Sequence, residues 1–452
     1  SKQWAAGSNP AGSVQFKELL LDIFKLKIKL EDSESLGLIL FYISLFLLAS
    51  APFISTIFLF ISLSIGFFKG RDFFLKNKLN KFFFICGILI MISGLVQSLT
   101  IPNNLKYIWD RQLTMIGMLN WIPFFCFFWT SQIYLNSEKV RKNAALILIA
   151  GSLPVLITGL GQYFLNWVGP FKSLYGLIIW YQKPITVDTG LSGLFSNQNY
   201  AAAWFLMVWP FSLALILEKT KNFYNKLVNF SFLFLIFLST ILTNSRSAWG
   251  GLLLSFPIIF GISNFSWIVP LLIFIFIFLI LALLPFQLIG FQNIVKDIFF
   301  NKILIRFSDQ DFGNLPLSRT EIWTSALDNI SINPFFGTGA GSFPNFYEKL
   351  LPKGVWVGHP HNIFFELSIS YGIPVGILTT ALLLYLFIAS CKKLKIFKYQ
   401  KNNANLFDNA WWCSAFIFFI LQIFDVQYFD LRLSILFWIL VSGLINISTI
   451  KK

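Results

Sequence analysis

Long apolar runs alternate with short polar segments from residue 36 to residue 448. Each run has about the length that a helix needs to cross the hydrocarbon core of a bilayer, which is ~20 residues. The pattern therefore predicts an all-α polytopic membrane protein. Twelve spans are predicted, at residues 36–50, 52–68, 82–99, 113–133, 144–167, 199–217, 227–243, 247–263, 266–289, 361–390, 409–424 and 431–448.

The polar segments divide the chain into four parts. Residues 1–35 form a polar tail followed by a lysine-rich amphipathic stretch, which is typical of a helix on a membrane surface. The first nine spans occupy residues 36–289, and the last three occupy residues 361–448. The intervening segment, 290–360, is too long for a simple connection and contains apolar stripes at helical spacing, so it is predicted to hold amphipathic helices.

The composition also favours a membrane protein. The chain is 56% hydrophobic and 12% charged, with a mean hydropathy of +0.71. A soluble protein of this size would need more polar surface than so few charges provide. The four cysteines lie in or beside apolar runs and have no metal-ligand spacing, so they indicate neither a disulfide framework nor a metal site.

The distribution of positive charge predicts the orientation. With the N-terminus in the cytoplasm, 23 of the 35 Lys and Arg residues fall in cytoplasmic segments. Six of the others lie in the 290–360 loop, and long loops cross the membrane largely regardless of their charge. Both termini are therefore predicted to be cytoplasmic, and the 290–360 loop extracytoplasmic. Because that face lacks nucleotide-activated donors, a reaction there needs an activated group already carried across the membrane.

The only two histidines, His359 and His361, lie at the start of the tenth predicted span, on the extracytoplasmic side. A neutral imidazole at this boundary could act as the general base for a hydroxyl nucleophile. The alternative is a pair of loop histidines without a role. Glu366 follows one helical turn after Asn362 and could hold an imidazole in one tautomer, or it could be a structural carboxyl with satisfied hydrogen bonds.

Two arginines on the same predicted face could bind an anion. Arg319 follows Ser318 in a sequence with capping-box spacing to Glu321, which predicts a helix N-terminus. Arg246 follows Ser245 in a short turn after the seventh span. Two guanidinium groups could hold a diphosphate without a metal. The alternatives are a surface arginine at residue 319 and an arginine that contacts lipid phosphates at residue 246.

Two further motifs carry weaker signals. The pair Asp309 and Asp311 has a spacing that some transferases use for a divalent cation, but a solvated turn is the simpler interpretation. The glycine-rich segment 337–341 could cradle a phosphate, but it follows no predicted strand and lacks a P-loop lysine. A tight turn after Pro334 is the interpretation that we favour.

Four motifs in chain order, between residues 193 and 376, resemble the O-antigen ligase and polymerase superfamily. They are Gly193-Leu194-Phe195-Ser196-Asn197-Gln198-Asn199, similar to its G-x-F-x-N-P-N segment; Asn244-Ser245-Arg246, similar to its S-R turn; Arg319 with Trp323, Pro334, Gly337 and Gly339, similar to its R…W…P…G-x-G motif; and His361-Asn362 with Glu366, Gly372 and Gly376, similar to its H-N-x-x-L-E…G-x-x-G signature.

The resemblance implies a GT-C-type, metal-independent, inverting glycosyltransferase without a cofactor. Such an enzyme would move a glycan from an undecaprenyl-diphosphate carrier to an acceptor sugar hydroxyl, on the periplasmic face of a bacterial inner (plasma) membrane. Nucleic acid is not expected as a partner. The catalytic residues would be His361 as base, Arg246 and Arg319 on the diphosphate, and Glu366. The candidate substrate-binding residues are the two arginines with Asn197, Asn199, Ser245, Trp323, His359 and Asn362.

Some alternatives remain open at this stage. Gly190 stands where many members of the superfamily have arginine, and Gln198 stands where they have proline, which puts the donor contacts of the 190–199 segment in question. The sequence does not separate a ligase from a polymerase. A different class of function is a transporter of a small anion such as bicarbonate, for which charged residues near mid-membrane on broken helices would be expected.

Overall fold

The computed structural model describes residues 33–100, 108–186, 189–218, 222–261, 318–351, 357–397 and 405–449. Several predictions lie outside these residues. They are the ninth predicted span at 266–289, the lysine-rich stretch before the first span, and the Asp309 and Asp311 pair.

The described part of the chain is built from sixteen α-helices and one short antiparallel β-hairpin. The helices are α1 Ser33–Leu47, α2 Pro52–Lys76, α3 Lys78–Thr100, α4 Arg111–Leu119, α5 Ile122–Ser131, α6 Glu138–Gly151, α7 Leu153–Leu165, α8 Gln198–Leu217, α9 Phe223–Leu242, α10 Arg246–Phe260, α11 Arg319–Ile332, α12 Ser342–Tyr347, α13 Ile363–Tyr371, α14 Ile373–Leu394, α15 Leu406–Phe424 and α16 Leu431–Thr449. The strands are β1 Phe171–Ser173 and β2 Ile178–Trp180.

Nine helical segments among the described residues are long and apolar enough to cross a membrane. Two shorter apolar helices, Glu34–Leu47 and Arg246–Phe260, coincide with the first and eighth predicted spans. The predicted class, an all-α polytopic membrane protein, is therefore confirmed. The total of twelve spans and the GT-C-type architecture remain predictions.

Three predicted spans contain a break between two helices, which the apolar pattern did not predict. Span 113–133 divides between α4 and α5, span 144–167 divides between α6 and α7, and span 361–390 divides between α13 and α14. A proline lies in the first turn after each break. Proline fits the first turn of a helix but interrupts a helix interior, because it lacks an N–H group and its ring clashes with the preceding turn.

Helices α8, α15 and α16 form the centre of the bundle. In the apolar stretches of α8 and α16, 83% and 89% of the residues are buried inside the protein. In α9 the corresponding share is only 22%. The central helices are therefore surrounded by protein, and α9 exposes most of its surface, as expected for a lipid-facing helix. The ring of Trp204 donates a hydrogen bond to Ser152 at 2.9 Å, which joins α8 to the break between α6 and α7.

Two buried ion pairs lie inside the bundle, and the arginine of each makes a contact with a distant part of the chain. Arg141 in α6 donates two hydrogen bonds to the carboxylate of Asp408 in α15, at 2.7 and 2.6 Å, and a third to the carbonyl of Leu135. Arg432 pairs with Asp430, and its guanidinium lies 3.8 Å from the ring centre of Phe195. The second pair fixes the segment that leads into α8.

Helices α11 and α12 pack over α13 and form a second apolar cluster. The predicted capping box is confirmed, because the Ser318 hydroxyl accepts from the Glu321 backbone while the Glu321 carboxylate accepts from the Ser318 backbone. The segment 337–341 forms a tight turn against α13, where the backbone N–H of Thr338 donates to the Ile369 carbonyl at 2.7 Å. That geometry agrees with the turn interpretation of this glycine-rich segment.

Candidate functional site

The histidine motif lies directly before α13. Asn362 is the N-cap of this helix, and its side-chain oxygen accepts from the backbone N–H groups of Phe364 and Phe365. Its amide nitrogen donates to the carbonyl of Ile423 at 3.2 Å, which holds the motif against the end of α15. His361 has a φ of +52°, an uncommon backbone conformation for a residue with a side chain. The cap and the turn together place the two imidazole rings beside the end of α15.

Both imidazoles face Asp425, which the sequence analysis did not identify. His361 Nδ1 lies 3.0 Å from Asp425 Oδ1, and His359 Nε2 lies 3.6 Å from the same oxygen. Asp425 caps the C-terminus of α15 and is therefore on the same predicted face as the histidines. That position was the available signal, since it is an acidic residue at the extracytoplasmic end of a predicted span.

The pKa values of two residues in this cluster, His359 and Asp425, are shifted from their ordinary values. Burial lowers the pKa of His359 to about 4, and the nearby His361 and Arg319 act in the same direction. Burial opposes ionisation of Asp425, but the hydrogen bond from His361 and the positive charges around it hold the Asp425 pKa below its ordinary value. At neutral pH the cluster therefore contains a neutral His359 and an ionised Asp425.

The N-terminus of α8 reaches the same carboxylate. Asn197 is the N-cap of α8, and its side chain accepts from the backbone N–H of Asn199. The side-chain amide of Asn199 donates to Asp425 Oδ2 at 3.2 Å. Asp425 therefore has His361 on one oxygen and Asn199 on the other, which fixes the orientation of the carboxylate. Asn197 has a capping role, so only one of the two predicted asparagines reaches the cluster.

Arg319 reaches the site from α11. It occupies the first position of that helix, and its guanidinium donates to the backbone carbonyl of Phe424, the residue before Asp425. The side chain is exposed, so the guanidinium lies at the surface of the site beside the His–Asp cluster. Arg319 and His361, which are 42 positions apart in the chain, are brought to the same place.

Arg246 is the first residue of α10 and is exposed. The preceding turn, where Asn244 has a φ of +55°, packs against the segment that leads to Asn199. The Leu191 backbone N–H donates to the Leu242 carbonyl at 2.9 Å. The hydroxyl of Ser245, the N-cap of α10, lies 3.1 Å from that of Ser247. Arg246 is therefore positioned by the same segment that supplies Asn199.

Gly190 and Gln198, the two residues that depart from the superfamily pattern, contact each other. The side-chain oxygen of Gln198 accepts a hydrogen bond from the backbone N–H of Gly190. A methyl group added at Gly190 would overlap the backbone of Thr243 and lie 2.7 Å from the carbonyl oxygen of Leu242. This backbone leaves no room for an arginine at position 190, and Gln198 stabilises the close approach that glycine allows.

Replacing Gly190 by alanine is expected to destabilise the protein by about 1–3 kcal/mol, because the added carbon would overpack against backbone that cannot move aside. The measurement is the unfolding temperature of the purified protein in detergent. Gly250→Ala is the matched control, since a methyl group there meets no atom within 4 Å among the described residues and should leave the unfolding temperature unchanged or raise it. Equal unfolding temperatures for both variants would contradict the assigned packing.

Glu366 and Trp323 lie beside the cluster and take part in different contacts. Glu366 is buried, and its carboxylate accepts from the hydroxyl of Tyr428 at 3.2 Å and from that of Ser370 at 3.4 Å. The hydrogen-bond partner of His361 is therefore Asp425 and not Glu366. The contacts of Glu366 agree with the alternative interpretation, a structural carboxyl with satisfied hydrogen bonds. Trp323 packs its ring against Phe365, 6.0 Å between ring centres, so it joins α11 to α13.

The ligand atoms of His359, His361 and Asp425 lie within 4.8 Å of one another, which is close enough for a metal ion. One hydrogen bond and one electrostatic effect favour proton transfer over metal binding at this cluster. The backbone N–H of His361 donates to His359 Nδ1 at 3.3 Å, so the proton of neutral His359 belongs on Nε2, the nitrogen that would have to bind the metal. The positive charge of Arg319 acts on both His359 and Asp425, which disfavours a second cation.

Comparison with known proteins gives two matches. Residues 231–380 match the model of the O-antigen ligase family, a range that contains Arg246, Arg319 and His361. The chain is also similar to a ComP-specific O-oligosaccharyltransferase of Acinetobacter baylyi, with 26% identity over 209 residues. This alignment covers 42% of the present chain and about a third, 33%, of the relative. The resemblance to the O-antigen ligase and polymerase superfamily that the motifs indicated is thus confirmed by the match across residues 231–380.

Proposed function

We propose that this chain is a glycosyltransferase that moves a glycan from an undecaprenyl-diphosphate carrier to an acceptor hydroxyl on the periplasmic face of the inner membrane. The observation that carries the proposal is the hydrogen bond between His361 Nδ1 and Asp425, beside the guanidinium of Arg319. A base for the acceptor and a cation for the leaving group are the two elements that this reaction requires.

In this mechanism His361 takes the proton from the acceptor hydroxyl at Nε2. Its Nδ1–H donates to Asp425, which selects the tautomer with a lone pair on Nε2 and stabilises the imidazolium that forms. Asn199 holds the other carboxylate oxygen and so prevents Asp425 from rotating away. Asp425 and Asn199 are thus positioning residues, and His361 is the residue that contacts the reacting group.

The leaving group in this mechanism is the carrier diphosphate. Arg246 and Arg319, each at the first position of a helix, would bind its oxygens through their guanidinium forks. The N-terminal ends of α10 and α11 add the favourable field of the helix dipole to the same anion. Both effects grow as the glycosidic bond breaks and negative charge collects on the diphosphate, so they stabilise the transition state more than the bound donor. The reaction needs no metal in this scheme.

Arg246→Lys and Arg319→Lys are each expected to lower kcat/KM about 10- to 100-fold, because a point charge replaces a bidentate fork worth roughly 1.5–3 kcal/mol. The measurement is transfer from purified lipid-linked donor in detergent or vesicles. Arg111→Lys is the matched control, since Arg111 is also exposed at the first position of a helix on the same predicted face and should keep full activity. Undiminished activity in both site variants would argue against bidentate binding.

In this mechanism the acceptor is an alcohol, because His361 takes a proton from a hydroxyl group. A sugar of the lipid A core, a second carrier-linked repeat and, from the relative named an O-oligosaccharyltransferase, a protein hydroxyl all present the same group to His361. A panel of the three with one donor distinguishes them. A ladder of products from the donor alone would identify a polymerase, and a single addition to a core sugar or to a protein would identify a ligase or a protein transferase.

A transporter of a small anion is the second candidate, and the broken helices α13 and α14 with the buried carboxyl of Glu366 are the observation that favours it. Against it, residues from three of the four superfamily motifs, Asn199, Arg319 and His361, gather around Asp425 at the end of α15. Anion flux into vesicles containing the purified protein, unaffected by His361→Ala, would support transport over transfer.

A further inference from the structure

The hairpin formed by β1 and β2 exposes large apolar side chains. It follows α7 by five residues and turns through Leu174 and Tyr175, both with positive φ angles of 49° and 54°. Tyr175 is fully exposed at the tip, and Leu174 is 52% exposed. Contiguous apolar side chains that are exposed on one surface mark a site of interaction with another molecule or with the membrane.

The exposed apolar surface of the hairpin is continuous with the end of a membrane span. Phe164 and Leu165, in the last turn of α7, are 61% and 64% exposed, as expected for side chains that face lipid. Beyond Asn166, the C-cap of α7, the exposed apolar surface continues through Trp167 and Val168 to Phe171 in β1. Because the apolar surface of the hairpin adjoins that of the lipid-facing end of α7, both are expected to contact the bilayer.

The charges beside the hairpin fit the headgroup region. Lys172 in β1 and Lys183 after β2 are both exposed. A combination of Trp, Tyr and Phe with lysine is typical of residues at the boundary between acyl chains and headgroups, where anionic phosphates pair with the ammonium groups. The exposed residues 165–181 include no acidic residue.

The hairpin is also tied to the bundle at its base. The ring N–H of Trp180 in β2 donates to the Ser50 carbonyl, at 2.8 Å, between α1 and α2. The backbone N–H of Gln182 donates to the Gly193 carbonyl at 3.2 Å. The base is therefore fixed to the segment that continues to Asn199, while the tip extends away from it.

We propose that this hairpin, residues 171–180, inserts its tip into the headgroup region of the outer leaflet and anchors the segment 189–199 to the membrane surface. Its ligand is the lipid surface itself, with a preference for anionic headgroups. The inference does not depend on the proposed glycosyl transfer, since a transporter would use the same contact.

The test uses the variant Tyr175→Cys, labelled on its thiol with an environment-sensitive NBD group. The four native cysteines, Cys86, Cys126, Cys391 and Cys413, are replaced by serine in this variant. The protein is reconstituted in vesicles of phosphatidylethanolamine and phosphatidylglycerol. The NBD emission is expected to lie to the blue of its value in water, and lipids with a doxyl group near the headgroup should quench it several-fold more than lipids with a doxyl group near the chain end. Because Tyr175 is fully exposed, the label should not perturb folding.

Asp328→Cys labelled in the same way is the control, because Asp328 is a charged, exposed residue of α11. Its emission should be quenched by aqueous iodide and not by doxyl lipids. A label at position 175 that behaves like the label at 328 would overturn the proposal. So would a label that becomes shielded only when an acceptor protein is added, since the hairpin would then be a protein-binding surface.

Discussion

His361→Ala is expected to lower the rate of glycan transfer by about 10²–10⁴-fold, the usual contribution of a general base. The alcohol of an acceptor sugar is a weak nucleophile until its proton is taken. His361 can take this proton, because its Nδ1 lies 3.0 Å from Asp425 and its side chain is 30% exposed, so that an acceptor can reach the ring. The measurement is single-turnover transfer with saturating donor and acceptor, so that binding and chemistry are separated.

Two further variants test how the base is held. Asp425→Asn keeps the shape of the side chain but removes its charge, so its rate should fall between those of the wild type and His361→Ala. Glu366→Gln should leave the rate near that of the wild type, because Glu366 contacts Tyr428 and Ser370. A His361→Ala variant that folds normally and retains full transfer would exclude His361 as the base.

Asp408→Ala is expected to destabilise the protein by about 3–5 kcal/mol, because it leaves the guanidinium of Arg141 buried without its counter-charge. Arg141 is completely buried, and two of its hydrogen bonds go to Asp408. The pair joins α6 to α15, one of the central helices of the bundle. The unfolding temperature in detergent and the yield of folded protein measure the loss.

The double variant Arg141→Met with Asp408→Leu distinguishes the cost of an unpaired charge from the loss of the contact. Replacing both charges by apolar groups removes the desolvation penalty, so the double variant should recover most of the stability lost by Asp408→Ala. Asp328→Ala is the control for removing an exposed carboxyl and should have no measurable effect. If the double variant is as unstable as the single one, the account of this pair is wrong.

Hydropathy predicts the spans because the apolar length is a property of each segment taken alone. The breaks at residue 120, Ser152 and Gly372 were not predicted, because the apolar pattern runs through each of them without an interruption. A proline at the second helical position was the available signal. At Gly372 the break also has a packing cause, because the backbone N–H of Ile373 donates to the Pro334 carbonyl.

The candidate site was predictable where a residue type was rare or belonged to a motif. His361 satisfies both conditions, and Arg246 and Arg319 satisfy the second. Asp425 satisfies neither, because its role arises from the approach of α8, α13 and α15, which is a tertiary property. For Glu366 the sequence left two interpretations open, a partner of the imidazole and a structural carboxyl. The second agrees with the structure, because the Glu366 side chain is buried and accepts a hydrogen bond from Tyr428.

The most direct test of the central claim is the stoichiometry of the reaction of the purified wild-type protein, reconstituted in vesicles with an undecaprenyl-diphosphate-linked glycan and an alcohol acceptor. The account predicts that one undecaprenyl diphosphate is released for each glycosidic bond formed, with or without a chelator of divalent metals. Folded protein that forms no glycosidic bond with any of the three acceptors, while moving a small anion across the same vesicles, would contradict it.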